Sequence, residues 1–310
     1  MKTRPALALA VALAAAPAGA IDPLEEALRP LDPSAPVRLG IGQPNGPAHA
    51  RKARAELGPY LSRALGRPVM VEILADYEAL TAALAQGQVD IAWTTPLAFV
   101  LAQQRHKDVT AVAKAMRGGK LFYRAAFIVR ADSAARSLAD VKGRRVAWVS
   151  RGSSSGYLFP RALLASQGES PDGFFSAESF AGDHPGACQA VRDGSADVGA
   201  TFANEPPGGE PPRADGCADA PPASDFRVIA SSAPVPNDVI AARPGFDERL
   251  VEPVLTAFAV MPRDEEGRRV LREVFHADGW GVAVEGDFEG VARALPQAPP
   301  RAAPAGATRR

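Results

Sequence analysis

The feature that most constrains this chain of 310 residues is the regular exchange of short apolar runs for helix-patterned stretches. Val37–Ile41 reads as a strand, and Gln43-Pro44-Asn45-Gly46 as a turn. Residues 47–65 read as a helix, because Pro47 suits a first helical position and Leu57, Leu61 and Leu65 recur at helical spacing. Residues 69–74 give a second strand, Asp76 a cap for a helix over Tyr77–Ala85, and residues 89–93 a third strand. Thr94-Thr95-Pro96 opens another helix. A second series follows, with strands within 121–130 and at 144–149 and a Ser/Gly turn at 150–156. That turn leads into a helix over 157–166. Gly182-Asp183-His184-Pro185 opens a further helix, and residues 197–202 give a strand. Strands alternating with helices imply an α/β fold with a largely parallel sheet.

One internal echo divides the pattern in two. Leu84-Ala85-Gln86-Gly87-Gln88-Val89-Asp90-Ile91-Ala92 resembles Val191-Arg192-Asp193-Gly194-Ser195-Ala196-Asp197-Val198-Gly199. Each is a helix end, a Gly stop, an Asp and an apolar strand. One copy falls in each series, which suggests two lobes built alike, although helix–Gly–strand is common in any α/β protein. Strands at 226–230 and 237–242 come next, then helical patterns through Val260 and over 265–275. Residues 206–224, rich in Pro, Gly, Ala and Asp, read as an irregular surface excursion. Residues 296–310 read as a disordered Ala/Pro/Arg tail.

The N-terminus reads as a signal peptide over residues 1–20. Lys2 and Arg4 precede an apolar run at 6–16, and Ala18-Gly19-Ala20 is a small-residue cleavage site. The run is too short to span a bilayer, and no Cys follows it to carry a lipid. An exported, soluble chain is expected. In an oxidising compartment, Cys188 and Cys217 are candidates for a disulfide worth roughly 3 kcal/mol; two free thiols are the alternative. Lys and Arg number 35, as do Asp and Glu, so the strongly basic balance of a nucleic-acid binder is absent. A small anion needs no net protein charge, because backbone dipoles can hold it.

Several turns place polar groups just ahead of helix starts: Asp76-Tyr77, Thr94-Thr95, Ser153-Ser154-Ser155-Gly156 and Asp183-His184. Unsatisfied N–H groups and a partial positive charge sit at such ends. The serine run can wrap a tetrahedral oxyanion or simply cap its helix; from the sequence the two readings weigh equally. His184 can donate to an anion or be a surface cap. Ser154 with His184 also raises a hydrolase, but no GxSxG elbow surrounds the serines. There is no GxxxxGK[ST] phosphate loop. His49, His106 and His276 are scattered, so no metal or other cofactor is expected.

These segments, in this order, resemble the periplasmic phosphate/phosphite/phosphonate-binding proteins of ABC transporters. LGRPVMVEI followed by DYEALTAALAQGQVDIAW resembles the family's first lobe. YRAAFIVRADSAARSLADVKGRRVAWVSRGSSSGYLFP resembles its crossover and serine loop, AGDHPGACQAVRDGSADVGA its His-bearing helix start, and VPNDVIAAR its return crossover. The resemblance implies an α/β, two-lobed type II periplasmic-binding-protein fold with two crossovers between lobes. One lobe is expected over 36–126 plus 236–292, the other over 127–235.

The resemblance also implies ligand-binding roles. Ser153, Ser154, Ser155 and His184 match oxyanion-binding positions. Tyr77 and Asp238 match cleft-lining positions, and Thr94 and Thr95 match the helix start in the first lobe. Asp238 fits an acid that holds a ligand ammonium, and Glu205 lies near the other expected acid. Departures from the family pattern are Thr95 where Gly often stands, Pro185 where an acid often follows the His, and the Pro-rich excursion. The expected protein is a periplasmic monomer, not an enzyme. It would bind phosphonate, phosphite or phosphate and pass it to an ABC permease in the inner membrane, without nucleic acid. A ligand sensor for a membrane kinase is the alternative.

Overall fold

The computed structural model describes residues 31–42, 46–204, 211–217 and 223–297. The expected signal peptide, Glu205, and residues 298–310 of the expected tail lie outside them. Eleven strands among the described residues form two sheets. The first contains β1 (Val37–Ile41), β2 (Val69–Ile73), β3 (Ile91–Thr94), β4 (Thr110–Met116), β10 (Val239–Ala242) and β11 (Gly279–Val282), in the order β11-β4-β10-β3-β1-β2. The second contains β5 (Phe122–Arg130), β6 (Arg145–Trp148), β7 (Ala177–Phe180), β8 (Val198–Ala203) and β9 (Phe226–Pro236), in the order β7-β6-β8-β5-β9. The chain passes between sheets twice, from β4 to β5 and from β9 back to β10.

The largely parallel sheet read from the sequence is corrected here. β1 is parallel to β2 and β3, and β6 to β7 and β8. β10 runs antiparallel to β3 and β4, β11 to β4, and β5 to β8 and β9. Strand–helix alternation enforces parallel pairing only where a helix carries the chain back across a sheet face. β5 enters the second sheet from β4 and β10 enters the first from β9, each coming from the other sheet, so no helix on the same sheet face sets its direction.

The internal echo has a shared chemistry. Arg38 at the second position of β1 donates from Nε to Asp90 Oδ2 at 3.0 Å, and from Nη2 to Asp90 Oδ1 at 2.9 Å and Gly87 O at 2.7 Å. Arg145, at the start of β6, does the same with Asp197 at 3.0 and 2.9 Å and Gly194 O at 2.8 Å. The two-pronged guanidinium thus ties a strand to the helix–Gly turn ahead of its neighbour. In the first copy Arg243 adds a second cation, 2.9 Å from Asp90.

Most strand residues facing the helices are buried. One apolar cluster lies under the first sheet around Leu57, Leu61, Phe258 and Phe275, and another under the second around Phe127, Trp148 and Tyr157. Cys188 and Cys217 are disulfide-bonded, with their Cα atoms 5.6 Å apart. The described part of the excursion that holds Cys217 lies only partly at the surface: Pro211, Arg213 and Ser224 are exposed. Ala214 and Cys217 are buried, and a Cβ on Gly216 would fall 2.0 Å from Thr201 Oγ1. The disulfide draws this segment onto the end of β8.

Candidate functional site

A cleft of about 640 Å³ opens between the sheets. Its serine side follows from local backbone chemistry after β6. Ser153 has extended dihedrals and its Oγ accepts the Gly156 N–H at 2.9 Å. The chain then winds through a single π-helical turn, Ser154–Leu158, before the α-helix Phe159–Ser166. A wider turn of this kind presents side chains that a regular α-turn would rotate away, and it recurs at functional sites. Glycine is required at 156: a Cβ there would lie 2.3 Å from Val149 Cγ2. All three serines are buried and line the cleft.

The opposite side is the start of the helix Pro96–Arg105. Thr95 caps it, its Oγ1 accepting the Ala98 N–H at 3.2 Å, with Pro96 at the first helical position. The two sides touch. Leu97 N–H donates to Ser154 Oγ at 3.1 Å, and Thr95 Oγ1 lies 3.4 Å from Gly152 O. A helix N-terminus from the first lobe therefore meets the serine turn of the second. Tyr77, which opens the helix Tyr77–Ala85 after its cap Asp76, packs against Gly42 and Gly152. Thr94 does not join the cleft lining. It is buried at the end of β3, in register with Val239.

His184 stands at the first position of the helix His184–Arg192, behind its cap Asp183, and its Nδ1 lies 2.9 Å from Thr201 Oγ1. Burial, with a smaller contribution from the positive charge of Arg117, pushes its imidazole down to about 4. The ring is therefore neutral at neutral pH. Burial likewise pushes the Tyr77 and Tyr123 phenols up, with the Asp238 carboxylate adding to it, so both keep their protons.

Asp238 lines the cleft, but its charge is already engaged. Arg117 Nη2 sits 2.7 Å from its Oδ2, and Arg117 also donates to Asn237 Oδ1, Phe275 O and His276 O. Arg117 lies in the first crossover, and Asn237 and Asp238 in the second. The pair therefore rivets the two crossovers together at the cleft, rather than leaving a bare carboxylate for an ammonium.

The sequence reading missed Arg117, Tyr123, His49 and His276, all in the lining, as well as Asp215 from the excursion. Arg117 is followed by Gly118 and Gly119 just ahead of the strand in 121–130, a turn signal at the crossover that could have singled it out. His49 and His276 are 227 positions apart and carried no such signal. Among the described residues, no group of three or more His, Cys, Asp or Glu could hold a metal ion.

Two α/β lobes joined by two crossovers around a polar cleft are the build of a type II periplasmic binding protein. A family model described as "ABC transporter, phosphonate, periplasmic substrate-binding protein" matches residues 44–288, and the chain belongs to that family. The phosphate-import protein PhnD of Mycolicibacterium smegmatis is 30% identical over 151 residues, which is 46% of this chain and 47% of that protein. The match thus spans about half the length of this curated relative. Among solved structures, PhnD1 from Prochlorococcus marinus in complex with methylphosphonate has a TM-score of 0.70 at 17% identity, covering 86% of this chain and 98% of that one. XAC2383 from Xanthomonas citri, bound to chloride ion, gives 0.69 at 22%, covering 85% and 97%. The periplasmic aliphatic sulphonate binding protein SsuA from Escherichia coli gives 0.56 at 15%, covering 85% of each chain. These likenesses establish the fold. Among the described residues no helix is long and apolar enough to cross a membrane.

Proposed function

We propose that this protein is the periplasmic solute-binding component of an ABC importer and clasps a small tetrahedral oxyanion, a phosphonate, phosphite or phosphate, between its lobes. The observation that carries the reading is the meeting of Ser154 with the Leu97 N–H at 3.1 Å, which brings hydroxyls of one lobe to a helix N-terminus of the other. An oxyanion offers several acceptor oxygens. It needs short, pre-positioned donors from both lobes in a place that limits water. In this reading Ser153–Ser155, His184, Tyr77 and Thr95 supply the donors. Such a ligand stabilises the closed form because it contacts both lobes. In this reading the closed protein, a monomer, docks on an ABC permease. Mycobacterial PhnD, by its name, imports phosphate, and the Prochlorococcus neighbour holds methylphosphonate; both fit an oxyanion of this size.

Catalysis is the poorer reading. His184 bonds Thr201 rather than a serine, and Ser154 accepts a backbone N–H. A nucleophile paired with a base needs its hydroxyl aimed at that base. Titration calorimetry with methylphosphonate, phosphite and phosphate tests the binding reading. Wild type is expected to bind at least one, and Ser154→Ala and His184→Ala to weaken that ligand tenfold to about a hundredfold. Equal affinity in both variants would remove the site from these residues.

A further inference from the structure

The cleft continues past the serine turn into a region of different chemistry. There His49, Trp93, Phe275 and His276 form a contiguous group of rings. His49 and His276 stack nearly parallel, with centroids 5.6 Å apart and an interplanar angle of 16°. Trp93 lies 6.2 Å from His49 and meets Phe275 edge-on at 4.8 Å. Trp93 and Phe275 are buried, Phe275 fully. His49 is half-buried and His276 is exposed, and both line the cleft.

Three observations give this end a task. The first is size. A cavity of about 640 Å³ is one that encloses a drug-sized ligand, several times what one tetrahedral oxyanion fills. It has this volume although the lobes already touch at Ser154 and Leu97. The second is charge. The Arg117 and Asp238 charges between the rings and His184 are spent on each other. His49 Nε2 lies 2.9 Å from Val274 O, so it must carry a proton and donate, and burial favours the neutral ring. A bare anion gains little there. The third is backbone. His276 has φ 46° and ψ 45°, and among the described residues it is the one non-glycine with a positive φ. A glycine would adopt this conformation more easily. Arg117 holds the turn by donating to His276 O at 3.0 Å, and the strained position puts an imidazole into the cleft.

We infer that the ring cluster is a second subsite, which takes a planar organic substituent carried on the oxyanion, so that the preferred ligand is a ring-bearing phosphonate or phosphate ester rather than bare phosphate or phosphite. The inference rests on the oxyanion reading of the serine side and specifies its substrate class. Stacking supplies the recognition, since offset ring pairs are favourable beyond the area they bury.

Titration calorimetry with phenylphosphonate, phenyl phosphate, n-butylphosphonate, methylphosphonate and inorganic phosphate is the test, on wild type, His49→Ala, His276→Gly and the double variant. Glycine is chosen at 276 because it removes the ring while suiting the backbone, and thermal melts check that each variant folds. Wild type is expected to prefer phenylphosphonate or phenyl phosphate over methylphosphonate by about tenfold or more. Whichever of the two binds tighter tells a phosphonate carrier from a phosphate-ester carrier. In the double variant the preference is expected to fall to a ratio near one. The inference is overturned if methylphosphonate or phosphate binds as tightly as the ring-bearing ligands, if n-butylphosphonate matches phenylphosphonate, or if the folded double variant keeps the preference. If no oxyanion binds wild type at all, the oxyanion reading itself has failed.

Discussion

On the serine side of the cleft, Ser153, Ser154, Ser155 and His184 bring hydroxyls and a neutral imidazole, with no charged side chain among them. On the crossover side, Arg117 and Asp238 bring a full charge of each sign and hold each other at 2.7 Å. In the proposed reading, the difference lets one cleft be both selective and hinged. A neutral donor set buried in a low-dielectric site stabilises an anion without competing for it with a fixed counter-ion. A paired set stiffens the two chain crossings that join the lobes. Donors that face a ligand must be left available for it, whereas groups that carry the hinge are best satisfied internally.

If the serine side depends on its backbone, disturbing that backbone is the severest way to break it. Gly156→Ala places a Cβ against Val149 and 3.0 Å from Ser153 Oγ. We expect it to cost about 3 kcal/mol of stability by denaturant unfolding and about a hundredfold in oxyanion affinity. An alanine variant with wild-type binding would mean that the π-turn does not shape the site.

The neutrality of His184 predicts a pH dependence. Its imidazole is depressed in the folded state from 6.5 to about 4, so protons bind more readily to the unfolded chain between those values. The stability gained by keeping the ring neutral, roughly 3 kcal/mol, is complete above pH 6.5 and is lost as pH falls toward 4. In His184→Asn this part of the pH profile should flatten. An unchanged slope between wild type and variant would show that another group is responsible.

The crossover side should respond more gently and in the opposite sense. Asp238→Asn removes the counter-ion of Arg117. Because the pair is partly exposed, about 1 kcal/mol of stability is expected to be lost. Methylphosphonate should bind about threefold tighter, since one repelling charge is gone. Weaker binding of methylphosphonate would place Asp238 among the ligand's own partners, as an acid that orders the site.

The two sides also differed in how much of them the sequence disclosed. The serine turn, the caps Asp76, Thr95 and Asp183, and the helix starts they open were legible because capping is local: the residue and its N–H partner lie three positions apart. The echo of Gly87–Asp90 in Gly194–Asp197 was legible as a pattern. Its partners Arg38 and Arg145 were not, because each lies 52 positions upstream and nothing local marks it. Arg117 and Asp238 meet across 121 positions, and His49 and His276 across 227. Such pairings are fixed only when the sheets close, so the crossover side and the ring cluster emerge from topology. The sheets' mixed direction was hidden for the same reason, since strand–helix alternation reads equally well whichever way a crossover strand returns.

The most direct test of the central claim is a crystal structure of the protein grown with methylphosphonate. The account predicts the phosphonyl oxygens within hydrogen-bond distance of Ser154 and at least one of Ser153, Ser155 and His184, on the Leu97 side of the cleft, with the Arg117–Asp238 pair intact. Methylphosphonate held instead by a freed Arg117, with the serine turn empty, would contradict it.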